Sequence, residues 1–269
     1  MKASCYIMEH ENESTRLDLK TDRERLVQQA RWAGIRPGMR VADLGCGSGI
    51  TSSYLYELVQ PGGEVVGVDA SQERIGYARE QYGTEGISFQ CKNLHESLDD
   101  LGQFDFIWVR FVLEYHQSRS REMVAHMTRI LKPDGILCLV DLDNNSMCHY
   151  GQNERLDRAM QGVVSALMKD HDFDPYAGRK LYSYLYSLGY RDIAIEMAAH
   201  HLIFGALNGV DAYNWNKKLE VAAKNSGYSF AEYDGGFDEF AEDFNRFFSD
   251  PGRFTYTPLI VCRGVKPVP

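Results

Sequence analysis

The sequence predicts a doubly wound α/β fold, in which a mostly parallel sheet is covered by helices on both faces. Strand and helix patterns alternate over about the first 145 residues, and the strand segments are mostly continuous apolar runs, as expected for strands buried on both faces. A glycine-rich loop directly follows the first strand, where such folds bind ligands. The five predicted strands of this part are Arg40–Leu44, Val65–Asp69, Ile87–Cys91, Phe104–Phe111 and Ile136–Leu142.

Helix signals separate these strands. Thr21 followed by Glu24 is a capping-box pattern, which predicts that a helix begins here, and Gly34 predicts its end. Apolar residues at helical spacing predict another helix after the glycine-rich loop, and Ser71 is the expected N-cap of the next one. A further helix over residues 123–130 stops at Pro133, just before the fifth strand.

The second half of the chain is predicted to be mainly helical. Apolar spacing indicates a helix over Leu156–Leu167, and Asp174-Pro175 is expected to cap another helix that runs to Gly189. Strands are predicted at Ile193–Met197 and Thr255–Cys262, and helices at Val210–Asn225 and Phe237–Phe248. No linker separates a second domain, so the chain is interpreted as one domain (1–269) with a helical cap at 1–36, a core at 37–143 and helical insertions at 144–190 and 201–252.

Composition and charge narrow the class of protein. The 269 residues include 29 Lys and Arg against 38 Asp and Glu, a formal charge of −9, so a basic face for nucleic acid is not expected. The six cysteines form no C-x-x-C pair, which favours a reduced cytoplasmic compartment. The longest clean apolar run, Ile136–Val140, is too short to span a membrane. The His200-His201 pair has no suitably spaced third ligand, so no metal site is predicted.

The most informative segment is the glycine-rich loop, Val41–Gly49. Its third glycine comes one residue too early for the dinucleotide fingerprint, and no G-K-[ST] follows that would make a P-loop. Asp43 would repel a pyrophosphate but suits a ligand with a cationic amino group. Asp69, at the end of the second strand, is the acid expected to accept hydrogen bonds from ribose hydroxyls. Together these residues suggest an adenosine ligand with a cationic tail, and S-adenosylmethionine fits that description.

The stretch from Pro37 to Asp143 resembles class I S-adenosylmethionine-dependent methyltransferases of the small-molecule type found in ubiquinone and menaquinone biosynthesis. The matching segments, in order, are Val41–Gly49, Val68–Ser71, Cys91–Leu94, Phe104–Ile107 and Leu131–Gly135. Two positions depart from the family pattern, because Asn93 stands where aspartate is common and Asp134 replaces a glycine. The resemblance implies a seven-stranded Rossmann-like methyltransferase fold with helical insertions on the substrate side.

The resemblance also implies site residues. S-adenosylmethionine, with S-adenosylhomocysteine as product, is expected to contact Asp43, Gly45, Cys46, Gly47, Asp69, Ala70, Asn93, Leu94, Arg110, Tyr6 and Arg16. Tyr115 and His116 follow the fourth strand and are the candidate bases or acceptor contacts. Asp141 and Asp143, at the end of the fifth strand, are further candidates for binding a substrate amine or hydroxyl.

The methyl acceptor is expected to be a small molecule. The N-P-P-Y or D-P-P-Y motif typical of enzymes that methylate adenine or glutamine amines is absent, since Trp108–Phe111 stands there. Aromatic residues in the insertions are compatible with core packing, a lid over an apolar substrate or a homodimer interface. Three alternatives stay open: an NAD-dependent oxidoreductase or epimerase, a non-catalytic S-adenosylmethionine-binding protein, and a methyltransferase acting on protein or RNA.

Overall fold

The computed structural model describes Tyr6, Met8 and residues 13–268, which form a central eight-stranded sheet with helices on both faces. The strands are β1 (Arg40–Leu44), β2 (Glu64–Asp69), β3 (Ile87–Cys91), β4 (Phe104–Arg110), β5 (Leu131–Leu142), β6 (His149–Tyr150), β7 (Arg191–Phe204) and β8 (Phe254–Val265). The α-helices are α1 (Glu13–Lys20), α2 (Arg23–Ala33), α3 (Ile50–Val59), α4 (Gln72–Tyr82), α5 (Ser120–Arg129), α6 (Glu154–Asp170), α7 (Leu181–Ser187), α8 (Gly209–Lys217) and α9 (Gly236–Ser249).

The sheet order confirms the predicted doubly wound fold. Strands β3, β2, β1, β4 and β5 lie side by side and are parallel, so their carboxyl ends meet at one edge. Strand β8 runs antiparallel between β5 and β7 and forms ladders with both. The seven predicted strands are present, and the eighth, β6, is a two-residue strand that pairs with Phe254 and Thr255.

Several predicted boundaries are wrong for identifiable physical reasons. The N-cap of α2 is Asp22, whose carboxylate accepts the Arg25 amide, whereas the Thr21 hydroxyl donates to the Leu17 carbonyl at the end of α1. Asp174-Pro175 does not begin a helix, because the buried Asp174 carboxylate accepts the amide of Tyr176 two residues on. A short 3₁₀ turn (Gly178–Lys180) then leads into α7.

Strand β7 is also much longer than predicted. It runs for 14 residues along β8, with two register shifts, so the insertion expected to begin at residue 201 begins only after Phe204. On its exposed side it presents a row of apolar side chains: Ile195, Met197, Leu202 and Phe204. The length of a partly exposed strand such as β7 depends on the strand it pairs with, and the periodicity of its own sequence does not show that partner.

Three main hydrophobic cores hold the fold together. Two lie on opposite faces of the sheet, one under α5 and α7 and the other under α2 and α3. The third lies among α6, α8, α9 and a π-helical segment (Lys218–Ala223) that continues α8, with Trp215, Phe240 and Phe244 at its centre. Within the described chain, no helix is both long enough and apolar enough to cross a membrane.

Candidate active site

The glycine-rich loop lies at the carboxyl end of β1, between the sheet and α1. Gly45 and Gly47 have φ values of 83° and 55°, in the left-handed region that favours glycine. A Cβ atom on Gly45 would overlap Val112, and one on Gly47 would come within 2.8 Å of Leu17 Cδ1 in α1. The loop therefore needs glycine both for its backbone conformation and for the close approach of neighbouring chain.

The Asp69 side chain is the hub that joins this loop to α4. Its Oδ2 accepts the Gly47 amide at 3.0 Å, and its Oδ1 accepts the Ser71 amide at 2.9 Å. Arg74 donates to Oδ1 through Nη2 at 2.9 Å and stacks its guanidinium over the Tyr6 ring, 5.0 Å from the centroid. Asp69 thus lies at the end of β2 beside the glycine-rich loop, and Arg74 shares the carboxylate that is predicted to bind ribose hydroxyls.

Asp43 lies beneath the loop and is almost completely buried. Its Oδ2 accepts the Ser52 hydroxyl at 2.7 Å. Burial raises the pKa of Asp43 to about 7, and the Ser52 hydrogen bond and the nearby Arg110 charge offset part of that rise. An ammonium group bound next to Asp43 would favour the ionised carboxylate.

Arg110, at the end of β4, supplies positive charge to the same region. Burial lowers the pKa of Arg110 to about 10, and its Nε has no hydrogen-bond partner within the described part of the chain. The Ser48 hydroxyl, in the glycine-rich loop, is likewise buried and unpaired there. A buried donor without a partner is costly, so both groups are suited to a polar ligand.

Ala70, Asn93 and Leu94 follow β2 and β3 at the same sheet edge as Asp69. Asn93 accepts the His95 amide through Oδ1 at 3.0 Å, while Leu94 is buried. Cys46 is also buried in the loop, and burial raises the pKa of its thiol well above the usual range. The sequence-predicted cofactor residues therefore converge on one edge of the sheet.

Tyr6 and helix α1 lie beside this edge. The Tyr6 hydroxyl donates to Glu13 Oε1 at 2.9 Å, and the Tyr6 ring contacts the Tyr115 ring edge-on, with centroids 4.8 Å apart. In α1, Arg16 forms a buried ion pair with Glu13, with Nη2 2.6 Å from Oε1. Tyr6 and Arg16 thus lie near one another through Glu13, and residues 1–5, 7 and 9–12 of the predicted helical cap lie outside the described residues.

The two candidate bases lie in different surroundings. Tyr115 lines an apolar cavity, and burial raises the pKa of its hydroxyl well above the usual range. His116 lies against His95, with Nδ1 3.1 Å from the Nε2 of its neighbour, outside the wall of that cavity. Burial and the neighbouring His95 lower the pKa of His116 to about 4.

The two acids at the end of β5 have structural partners. Asp141 is buried and accepts the amides of Glu114 and Leu142 at 3.2 and 2.9 Å. Asp143 forms an ion pair with Arg179, with Oδ1 2.7 Å from Nε. Both carboxylates therefore already have donors, and Asp141 shapes the loop that carries Tyr115.

The apolar cavity, which we call the acceptor cavity, has a volume of about 90 Å³. It lies between the loop after β4, the helices α6 and α9, and the π-helical segment. Its wall is mainly apolar and aromatic, and its polar side-chain groups belong to Tyr115, Asn145, Ser146, Lys218 and the indole N–H of Trp215. Such a lining, apolar with a few placed polar groups, is typical of small-molecule sites.

A second, polar cavity of about 310 Å³ lies between α1, α2, β7 and α8. Lys20 and Arg110 line it, and their charged groups lie 5.6 and 4.1 Å from the centroid of the Phe111 ring. Burial also lowers the pKa of Lys20 well below its usual range. Phe111 itself has a left-handed φ of 57°, an unusual conformation for an aromatic residue.

Sequence reasoning missed four residues that contribute to these sites. Ser52 and Arg74 contact the predicted acids, Lys20 adds charge beside Arg110, and Lys218 adds charge to the acceptor cavity. The contact of Arg74 could have been predicted from the sequence, since a helix that starts directly after Asp69 turns its first residues back toward that acid. The position of Lys218 could not, because Lys218 comes to the cavity from a helix that is distant in the sequence.

Comparison with known proteins agrees with this geometry. Residues 41–135 match the methyltransferase domain family. The chain is 28% identical to the 2-phytyl-1,4-beta-naphthoquinone methyltransferase of Arabidopsis thaliana, over 66% of this chain and 72% of that protein. It is 30% identical to a ubiquinone biosynthesis O-methyltransferase of a Bradyrhizobium species, over 40% of this chain and 42% of that protein. For several other curated relatives the match spans 32–53% of their length.

A solved structure shares the fold across most of the chain. Phosphoethanolamine N-methyltransferase 2 of Haemonchus contortus, in complex with S-adenosylhomocysteine, superposes with a TM-score of 0.55 at 16% identity. The superposition covers 91% of this chain and 53% of that one. The matched domain, the named relatives and the glycine loop with its two acids together support a class I S-adenosylmethionine-dependent methyltransferase domain over residues 41–135.

Proposed function

We propose that the protein transfers a methyl group from S-adenosylmethionine to a small acceptor with a largely apolar body. The observation that carries this proposal is the acceptor cavity, which lies beside Tyr115 at the carboxyl end of β4. Its lining is apolar over most of its wall, and the insertion helices form much of that wall. A concave, mainly apolar pocket with a few polar groups suits a small molecule.

The chain's own residues fit the cofactor. Asp69 would accept the ribose hydroxyls once Arg74 yields part of the carboxylate, and Asn93 and Leu94 would contact the adenine. Asp43 would take the ammonium group, and the Arg110 guanidinium would take the carboxylate of the methionine part. This fit would give a partner to Arg110 Nε, which has none among the described residues.

When bound, S-adenosylmethionine supplies an activated methyl group, so the protein's main task is orientation. The acceptor cavity holds the acceptor beside Tyr115, and the Tyr6 ring, which packs edge-on against Tyr115, shields that side of the cleft from water. Holding the reacting atoms in line lowers the barrier by several kcal/mol. Of the two candidate bases, we propose Tyr115 as the acceptor contact, because it lines the cavity while His116 packs on His95.

The test is a turnover screen of apolar alcohols, phenols and amines with S-adenosylmethionine, read by S-adenosylhomocysteine release and by product mass. Val164 is a buried residue of the cavity wall, so Val164→Phe should fill the space and abolish turnover while S-adenosylhomocysteine still binds. Ile195→Phe, at an exposed site on β7, is the matched control and should retain turnover.

Two results would contradict the proposal. If the wild-type protein fails to bind S-adenosylhomocysteine at millimolar concentration, the proposed cofactor is wrong. If Val164→Phe shows full turnover on an apolar acceptor, the proposed acceptor site is wrong, because the cavity would then not hold the substrate.

A further inference from the structure

The acceptor cavity has one charged corner. Lys218 is the first residue of the π-helical segment, and its Nζ donates to Asn145 Oδ1 at 3.2 Å and to Ser146 Oγ at 3.1 Å. The same Nζ lies 4.4 Å from the centroid of the Trp215 ring. An ammonium group carries three donors, so one N–H of Lys218 has no partner within the described residues.

Two unusual backbone segments hold this corner in place. π-Helical turns are rare in proteins and occur frequently at functional sites. The partner loop after β5 contains Asn144 and Ser146 in the left-handed region, with φ values of 49° and 64°. Such conformations cost free energy and persist where the surrounding structure enforces them. The corner is therefore built by the fold, since Lys218 comes from one unusual segment and its acceptors from another.

Lys218 reaches the acid Glu114 only through the side chain of Asn145. Asn145 accepts from Lys218 with its Oδ1 and donates through Nδ2 to Glu114 Oε2 at 2.6 Å. Glu114 is almost completely buried, on the same loop as Tyr115. Among the described residues, the ammonium therefore has no direct carboxylate partner, and the Glu114 carboxyl group lies one amide away.

The electrostatic surroundings keep this ammonium available for a ligand. Burial lowers the pKa of Lys218 to about 8, Glu114 opposes that shift and Arg16 adds to it. The imidazoles of His149 and His201 pack against the Trp215 ring near Lys218, and burial lowers the pKa of both, so they are neutral near pH 7. The corner thus holds one cation that is only indirectly neutralised.

We propose that Lys218 determines acceptor specificity by binding an acidic hydroxyl, such as that of a phenol or an enol, on an otherwise apolar acceptor. This inference rests on the proposed function of the same cavity. A single free N–H matches a single oxygen, whereas a carboxylate needs several donors and would lie near the Glu114 charge. The hydroxyl would fix the acceptor's orientation along the apolar wall toward Tyr115.

The test uses matched probes with the full chain saturated with S-adenosylhomocysteine. Binding of 4-ethylphenol, ethylbenzene and 4-ethylbenzoate is measured by ligand-observed NMR. We expect 4-ethylphenol to bind about tenfold more tightly than ethylbenzene, as a hydrogen bond to a charged group implies. Lys218→Met should abolish that difference while ethylbenzene and S-adenosylhomocysteine bind as before.

The controls separate a binding role from a structural one. Lys217→Met removes the neighbouring lysine, which pairs with Glu220 on the surface, and should keep the phenol preference. Lys218→Arg should restore part of it. If Lys218→Met does not fold, Lys218→Gln provides the same comparison with a polar side chain.

Each result bears on a different claim. If ethylbenzene binds but 4-ethylphenol gains nothing, or if Lys218→Met keeps the preference, Lys218 does not select a hydroxyl. Tighter binding of 4-ethylbenzoate than of 4-ethylphenol would overturn the proposal that Lys218 selects an acidic hydroxyl, because it would then prefer a carboxylate. If none of the probes binds the wild-type protein, the acceptor cavity itself is misassigned, which is a failure of the proposed function.

Discussion

Replacing Gly47 with alanine is the most direct test of the glycine-rich loop. Gly47 has a left-handed φ of 55°, and a Cβ atom there would lie 2.8 Å from Leu17 Cδ1. The substitution therefore strains the backbone and pushes against α1 at the same time. Because the Gly47 amide donates to Asp69 Oδ2, a shift of the loop would also disturb the predicted ribose-binding acid.

The expected magnitudes follow from these contacts. A left-handed conformation costs a non-glycine residue about 1–2 kcal/mol, which should appear as a lower free energy of unfolding. Loss of a hydrogen bond to a charged group costs about 1.5–3 kcal/mol, which corresponds to a roughly 10- to 100-fold weaker affinity for S-adenosylhomocysteine. We therefore expect Gly47→Ala to lose both stability and cofactor affinity.

The assay combines urea unfolding with isothermal titration of S-adenosylhomocysteine. Gly38→Ala is the matched control, because Gly38 has a φ of 81° with open space around a built Cβ atom. Gly38→Ala should lose a similar free energy of unfolding but no cofactor affinity. Adding Leu17→Ala to Gly47→Ala should restore only the part of the loss that comes from the contact with Leu17. Unchanged cofactor affinity in Gly47→Ala would refute the reasoning, because the loop would then serve only as a turn.

Three further predictions test other parts of the site and fold. Burial raises the pKa of Asp43 to about 7, so its contribution to the free energy of unfolding falls as the pH rises from about 4 to about 7. At pH 8 the free energy of unfolding of Asp43→Asn, measured in urea, should therefore be about 2–4 kcal/mol higher than that of the wild-type protein. The same variant should bind S-adenosylmethionine more weakly. Phe240→Ala should cost about 3–5 kcal/mol in the same assay, against about 0.5 kcal/mol or less for exposed Tyr186→Ala. His116→Asn should retain turnover, because His116 lies outside the acceptor cavity; complete loss with intact cofactor binding would instead make it the base.

The parallel half of the sheet was predictable because its determinants are local. Continuous apolar runs mark strands buried on both faces, and the glycines of the loop after β1 are required by their own φ values. The positions of Asp43 and Asp69 followed from the same logic, since parallel strands end at one edge. The sequence could not show that Ser52 and Arg74 would hold these acids, because those contacts depend on how α3 and α4 pack.

The second half of the chain was less predictable because its structure depends on distant partners. The expected helix start at Asp174 was wrong because that carboxylate caps its own turn and pairs with Lys180. Strand β7 extends beyond its apolar alternation because β8 pairs along its whole length. For β7 a contact far along the chain overrides the local pattern, whereas at Asp174 a local turn contact and ion pair replace the expected helix start.

This difference has a functional consequence. The residues placed for the cofactor lie mainly on strand ends and loops of the parallel sheet, whereas most of the acceptor cavity comes from the insertion helices. The loop after β4, with Glu114 and Tyr115, connects the two regions. Substitutions in α6, α9 or the π-helical segment should therefore change acceptor choice while cofactor affinity stays the same, whereas substitutions at Glu114 should change both, because its backbone and side chain join Asp141, Asn145 and the Tyr115 loop.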